Sequence, residues 1–228
     1  KGKSIVVVSS GAIALGYAKL GYKTRPKPKE VAKLQASAAA GQSLLMRAYE
    51  EAFAKGGIPV AQVLLTHADL ADRARANNAR AALGELLAVG AVPVLNENDS
   101  VAIEEIKFGD NDQLAALVVP LVDADLLVLL SDVDGVLDGE GKRIPEVADA
   151  ADAARFVRAG TSAVGTGGMA SKIEAARRAT IAGAHVVIAD ARRPQVLEDV
   201  TAGADVGTWF SAAAGRMNAR RYWIAFTL

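Results

Sequence analysis

Between residues 96 and 112 the chain reads Asn-Glu-Asn-Asp-Ser-Val-Ala-Ile-Glu-Glu-Ile-Lys-Phe-Gly-Asp-Asn-Asp, directly after the apolar run 91–95. In an α/β protein the loops leaving the carboxyl ends of strands form the ligand crevice. Carboxylates and amides there, Asp99, Asn111 and Asp112 among them, can converge on one small polar molecule. A second segment, Gly165-Thr166-Gly167-Gly168-Met169-Ala170-Ser171-Lys172, runs into the strong helix formers of 173–179. Glycines ahead of a helix expose backbone N–H groups, and with the helix dipole and the mobile charge of Lys172 they make a site for phosphate. The order Ser-Lys fails the Gly-Lys-Ser/Thr pattern of a P-loop and points to a different nucleotide fold. A third segment, Ser9-Ser10-Gly11-Ala12, joins the apolar run 5–8 to a helix-like stretch at 13–20, again the geometry for holding an anion at a helix start. Taken singly, each has a plainer alternative: a solvated acidic loop, a flexible connector, or a βα turn with a serine cap. Only the combination argues for function.

Five apolar runs, at 5–8, 59–65, 92–95, 126–130 and 186–189, are nearly continuous rather than alternating. Burial on both faces of a parallel sheet produces that pattern, so the class is α/β. Helices are expected at 31–54, 77–88, 112–121, 150–159, 168–182 and 194–201 from apolar residues at three and four spacing, several of them ending at a glycine such as Gly56, Gly90 or Gly183. The glycine and aspartate density of 131–145 predicts a small hairpin near the ligand. A calcium loop there fails for want of the required spacing and closing glutamate. Residues 220–226 read as a further strand. With no repeat or low-complexity linker, a single domain over 1–228 is the simplest organisation.

Composition narrows the function classes. Lysine plus arginine equals aspartate plus glutamate at 26 each, so there is no basic field for nucleic acid or anionic membrane. The absence of cysteine rules out disulfides and thiolate metal sites and fits a reducing cytoplasm. The two histidines, His67 and His185, are far apart in sequence and read as structural. No apolar run reaches the ~18 residues of a membrane span, and 5–8 is too short for a signal peptide.

With these residues in view, the chain resembles the amino-acid kinase family, and within it the members that act on glutamate. The likeness runs from about residue 5 to 223 and rests on SSGAIALG, VPVLNENDSVA, EEIKFGDNDQLAA, LLSDVDGV and GTGGMASK, in that order. It implies a three-layer sandwich with a mainly parallel central sheet flanked by helices, with ATP and an amino acid meeting across the strand ends. The reaction implied is ATP-dependent phosphorylation of the L-glutamate side-chain carboxylate to L-glutamyl 5-phosphate, the first step toward proline. By matching position, Ser10, Asp99 and Asn111 are implied to bind glutamate. Ser131 and Asp132 are implied to contact the nucleotide, and Thr166, Gly167, Gly168, Met169, Ala170, Ser171 and Lys172 to form the ATP phosphate loop. Asp112 is implied to organise the catalytic lysines, Lys172 to stabilise the transferring phosphoryl group, and Gly11 to supply an N–H beside it. Mg²⁺ bound largely through substrate phosphates, a homo-oligomer, a cytoplasmic location and L-proline as feedback inhibitor belong to the same implication.

The chemistry agrees with the residue inventory. A glutamate side chain with a pKa of about 4.3 is already an ionised nucleophile at neutral pH and needs no general base. Bringing it to a polyphosphate demands cations, N–H donors and alignment. Relatives begin with an earlier strand that leads to a lysine and a glycine turn on the ATP phosphates, and many carry a C-terminal RNA-modification-type domain. A chain starting at Lys1 without that strand is expected to fold poorly and show negligible kinase activity. Two alternatives stay open at this point: a catalytically silent amino-acid-binding regulatory module on the same fold, and a sibling kinase for another carboxylate, carbamate or UMP.

Overall fold

A computed structural model describes residues 2–101, 110–150, 168–215, 222 and 225–226. The chain divides into two compact units, Lys1–Leu114 and Ala115–Leu228.

The first unit holds β1 (Val7–Val8), α1 (Ala12–Lys19), α2 (Val31–Ala54), β2 (Val60–Leu65), α3 (His67–Ala71), α4 (Arg73–Ala88) and β3 (Val92–Glu97). Its sheet has the order β1-β3-β2, and both pairings are parallel, with Val7 opposite Val94 and Val60 opposite Val92. All six residues of the central strand β3 are buried, which is why its sequence shows no alternation. The expected strand 5–8 shortens to its last two residues, and Ile5 is exposed. Helix α2 buries Leu34, Ala38, Gly41, Gln42 and Leu45, the three-and-four stripe of an amphipathic helix.

Helices α1 and α2 cross with backbone against backbone. A Cβ added to Gly16 would lie 1.8 Å from the Ser37 carbonyl oxygen, and one added to Gly41 would lie 1.8 Å from the Ala12 carbonyl oxygen. After α2 the left-handed residue is Gly57, at φ +66°, rather than the expected Gly56. Helix α4 starts four residues before the expected 77, and α3 precedes it. Both starts are fixed by side chains: Thr66 and Asp69 form a reciprocal capping box, and Asp72 accepts from Arg75 N at 2.9 Å.

Helix α5 (Asp110–Val122) begins in the first unit, and the division falls within it. The second unit also holds β4 (Leu126–Ser131), β5 (Glu146–Val147), α6 (Met169–Ile181), β6 (His185–Asp190), α7 (Val196–Thr201) and β7 (Thr208–Phe210). Its sheet order is β4-β6-β7-β5, in which β4–β6 and β5–β7 are parallel and β6–β7 is antiparallel. The α/β class with mainly parallel sheets flanked by helices is as expected. The core is the fully buried Val186, Ile188, Ala189 and Phe210, together with Ala175, Ala176 and Ala179 of α6.

The expected hairpin is present: Leu137 bridges Arg143 in antiparallel fashion, and Ile144 N donates to Val136 O at 2.8 Å. The fully buried Thr208 ties it down by accepting from Val136 N at 2.8 Å and donating to Ile144 O at 2.7 Å. His185 accepts from Ala212 N and packs on Trp209, a structural setting. The expected helix 150–159 lies outside the described residues beyond Ala150.

One expectation is overturned. Tyr222, Ala225 and Phe226 are helical rather than extended. The rings of Tyr222 and Phe226 sit 4.8 Å apart, a spacing that i and i+4 residues reach on a helix, whereas a strand would carry them about 13 Å apart. Pro120 lies inside α5 and has no N–H to give the carbonyl four residues back. That carbonyl, Ala116 O, accepts from the Tyr222 phenol at 3.2 Å. Among the described residues no helix is long and apolar enough to cross a membrane.

Candidate functional site

In the first unit the site is assembled by strand ends. Ser9 N donates to Leu95 O at 2.9 Å, which extends the β1–β3 pairing by one residue. The chain then turns through Gly11, at φ +113°, into α1. An L side chain is strained at that φ, so glycine is required. Gly11 itself is the N-cap, and no side chain caps the helix, which displaces the serine-capped alternative. The Ser9 hydroxyl is engaged elsewhere, donating to Ser10 O and accepting from the Tyr49 phenol at 2.9 Å.

Asn111, in the first turn of α5, is the hub. The two hydrogens of its Nδ2 serve three acceptors, Ser10 Oγ at 2.7 Å, Asn96 Oδ1 at 3.0 Å and Ser9 O at 3.2 Å, and its Oδ1 accepts from Glu97 N at 3.3 Å. Asp112 follows it, half-buried. Asp99 borders a small hollow with Ala12, Gln42, Asn96, Glu97 and Ser100. Glu97 is 8 % exposed, and its Oε2 has no hydrogen-bond partner but lies 3.4 Å from His67 Nδ1.

In the second unit, Ser131 and Asp132 sit side by side at the end of β4, the hydroxyl donating to the carboxylate at 3.5 Å. Ala191 N donates to Ser131 O at 2.8 Å, and Arg192 donates to Asp132 O while its guanidinium is paired with Asp190 at 2.7 Å. Those Arg192 hydrogen bonds hold the Asp190 carboxyl below the usual carboxylate range. Helix α6 starts at Gly168 with no side-chain cap and no acidic residue in its first turn, which holds Met169, Ala170, Ser171 and Lys172. An uncapped start beside a lysine suits an anion. Thr166 and Gly167 lie outside the described residues.

The structure therefore brings Ser10, Gly11 and Asn111 together, with Asp99 on the adjoining hollow, and separately places Ser131 with Asp132 and Gly168 through Lys172 at one helix start. Sequence reasoning quoted Asn96 and Glu97 without assigning them, and it missed Gln42, Tyr49 and Arg192. Gln42 carried a signal, being an amide on the buried stripe of α2.

The mixed fold, with its parallel-paired strands and uncapped starts at α1 and α6, is that of the amino acid kinase family, and the chain belongs to that family, which it matches over residues 1–190. It is 50 % identical over 235 residues to the glutamate 5-kinase of Myxococcus xanthus, covering 100 % of this chain and 62 % of that protein. It is 50 % identical over 232 residues to the glutamate 5-kinase of Chromobacterium violaceum, covering 99 % and 62 %. The chain thus spans about three-fifths of the length of these curated relatives. Among solved structures it is similar to N-acetylglutamate synthase from Neisseria gonorrhoeae, with a TM-score of 0.61, 16 % identity and coverage of 93 % of this chain and 55 % of that one. It is also similar to T. acidophilum isopentenyl phosphate kinase, with a TM-score of 0.53, 15 % identity and coverage of 90 % and 83 %. At such identities these two support the fold alone.

Proposed function

We propose that this chain is the kinase domain of an enzyme that transfers the γ-phosphoryl group of ATP to the side-chain carboxylate of L-glutamate. The carboxylate oxygen forms a bond to phosphorus, the bond to the β,γ-bridging oxygen breaks, and L-glutamyl 5-phosphate and ADP result. Identity of 50 % to proteins named glutamate 5-kinase supports the substrate. The Asn111 hub joining Ser10 to Asn96 carries the placement of the amino acid.

The nucleophile arrives ionised, so the protein's task is to lower repulsion and align. Asp99 suits the substrate ammonium and Ser10 its carboxylate, with Asn111 holding Ser10. Gly11 N–H, at the uncapped start of α1, faces the transferring group. The segment Thr166 to Lys172 takes the ATP phosphates, and Ser131 and Asp132 the rest of the nucleotide. Lys172 stabilises the charge that develops on the phosphoryl oxygens, and Asp112 orients the cationic groups. Among the described residues no three His, Asp or Glu side chains gather into a metal cage. Mg²⁺ is proposed to enter with ATP as part of the substrate, since that ion binds mainly through phosphates and retains water. L-Proline as inhibitor, a homo-oligomer and a cytoplasmic location complete the proposal.

The test is glutamate-dependent ADP formation by the full-length protein against a panel of glutamate, aspartate, acetylglutamate, carbamate and UMP. Lys172→Ala is expected to lower kcat by roughly 10²-fold or more with little change in the glutamate KM. Asp99→Ala is expected to act mainly on that KM. Impaired glutamate saturation with unchanged turnover in Lys172→Ala would remove Lys172 from its role. Glutamate binding without any ADP would replace the enzyme by a sensor.

A further inference from the structure

We propose that Gln42 and Gln62 are positioning residues whose amide chain sets the Ser10 hydroxyl as a hydrogen-bond donor toward the substrate, an inference that rests on the glutamate reading above. Five polar side chains, from α2, β2, β3, α5 and the turn between β1 and α1, form one line. Gln42 Nε2 donates to Gln62 Oε1 at 3.1 Å, and Asn96 Nδ2 donates to Gln42 Oε1 at 3.0 Å. Asn111 Nδ2 then donates to Asn96 Oδ1 at 3.0 Å and to Ser10 Oγ at 2.7 Å.

The two faces of an amide are hard to tell apart by shape, and direction has to come from groups that have no choice. Here backbone groups supply it. Glu97 N–H can only donate, and it reaches Asn96 Oδ1 at 2.9 Å and Asn111 Oδ1 at 3.3 Å. Ser9 C=O can only accept, and it takes Asn111 Nδ2 at 3.2 Å. Both asparagines are thereby oriented with their oxygens toward Glu97 N. Asn96 must then send its NH₂ toward Gln42, which has to present its oxygen inward and its own NH₂ outward to Gln62.

The reverse orientation of Gln42 would set two NH₂ groups face to face at a place where Asn96 is 3 % and Gln42 9 % exposed. A buried donor left without an acceptor is costly, so Gln42 holds Asn96 in register.

The consequence falls on Ser10. Its Oγ accepts from Asn111, and a hydroxyl has one hydrogen to give. Because Asn111 donates to Ser10 rather than accepting from it, that hydrogen is left for a ligand carboxylate. If Asn96 turns to find another acceptor, its NH₂ replaces the oxygen that Glu97 N and Asn111 Nδ2 now share; an Asn111 that turns in response, against its bonds to Ser9 O and Glu97 N, takes the hydrogen of Ser10 and leaves only lone pairs facing an anionic substrate. Gln42 thus acts on substrate recognition through two intermediates, from a helix that the site residues do not belong to.

The experiment is a double-mutant cycle in the full-length protein between Gln42→Met and Ser10→Ala, read as glutamate KM, ATP KM, kcat and thermal midpoint. In the parent background Gln42→Met is expected to raise the glutamate KM about tenfold, the effect of one buried hydrogen bond lost, with the ATP KM unchanged. In the Ser10→Ala background the same substitution is expected to change the glutamate KM by less than about twofold, because its route to the substrate is gone. An equal loss in both backgrounds, or no loss in the first, overturns the proposal. If Gln42→Met does not fold, Gln62→Met at the exposed end takes its place, with an expected loss of about threefold because water can replace its carbonyl. Full additivity with Ser10→Ala overturns the proposal there too. A parent protein that binds no glutamate by calorimetry overturns the substrate reading and this inference with it.

Discussion

Replacing Gly41 by alanine should damage stability and activity together, because of what the new methyl would strike. Its Cβ would stand 1.8 Å from Ala12 O, 2.6 Å from Gly16 N and 2.8 Å from Ala12 C. Even a close C–H···O contact keeps roughly 3.3 Å, so the shortfall at Ala12 O is about 1.5 Å. All three atoms are backbone, and no rotamer change can clear them. Helix α1 has to move, and the peptide struck first is Ala12–Ile13, in the turn directly after the Gly11 N–H that is proposed to face the transferring phosphoryl group.

Overpacking a core costs about 1–3 kcal/mol, and for a chain of this length each kcal/mol lowers the thermal midpoint by roughly 2–4 °C. The expected fall is therefore about 2–12 °C. The effect on rate is larger, since reacting groups must be held within ~0.5 Å and a displacement of ~1 Å costs on the order of 10²-fold. The matched control is Gly84→Ala in α4, whose added Cβ meets nothing within 4 Å. Helix propensity there predicts a gain of about 0.5–1 kcal/mol with unchanged turnover. Thermal unfolding and glutamate-dependent ADP release measured well below the midpoint decide the matter. Gly41→Ala with the parent's midpoint and kcat would refute the backbone-contact reasoning.

Three further outcomes are expected. Thr208→Val keeps the shape but strands the Val136 N–H and Ile144 C=O that the hydroxyl now serves, and chemical denaturation should register a loss of about 1–3 kcal/mol or more. A loss within about 0.5 kcal/mol, the range of an ordinary surface change, would show that water reaches both groups. Tyr222→Phe removes the donor to Ala116 O below Pro120. It should cost roughly 1–2 kcal/mol, measured the same way, and an unchanged stability would mean that the carbonyl needs no such partner.

The third concerns pH. Hydrogen bonds from Arg177, with a smaller share from Arg178, hold the Glu174 carboxyl below its ordinary 4.5 against the opposing effect of burial. A lowered carboxylate pKa gives stability that is present above 4.5 and lost as pH falls through the folded value. Glu174→Gln should accordingly flatten the acid limb of a midpoint-against-pH curve and leave its shape near neutrality alone. An acid limb identical to the parent's would remove the triad from acid unfolding.

The strands that were legible in the sequence are those buried on both faces: β3, with all six residues buried, and β6 announce themselves as unbroken apolar runs. Helix α2 was legible at its bounds of 31 and 54, its buried residues recurring at three and four spacing from Leu34 to Met46 within the 24-residue helix. β5 and β7, at two and three residues, were not, because so short a segment has no period and is defined by the strand it pairs with. The start of α4 and all of α3 depend on Thr66, Asp69 and Asp72 as caps, and an apolar-periodicity reading passes over them. At the site, the residue types were visible but their partnerships were not. Gln42 and Asn96 stand 54 positions apart, and only the folded sheet reveals that one orients the other.

Proline in α5 leaves the second unit with an optical consequence. Tyr222 is one of four tyrosines, and burial pushes its phenol up from the ordinary range. Ionising the ring means giving up both its burial and its bond to the Ala116 carbonyl. The alkaline ultraviolet difference between the parent and Tyr222→Phe isolates this one ring, so its titration reports on the burial that the Ala116 bond helps to keep.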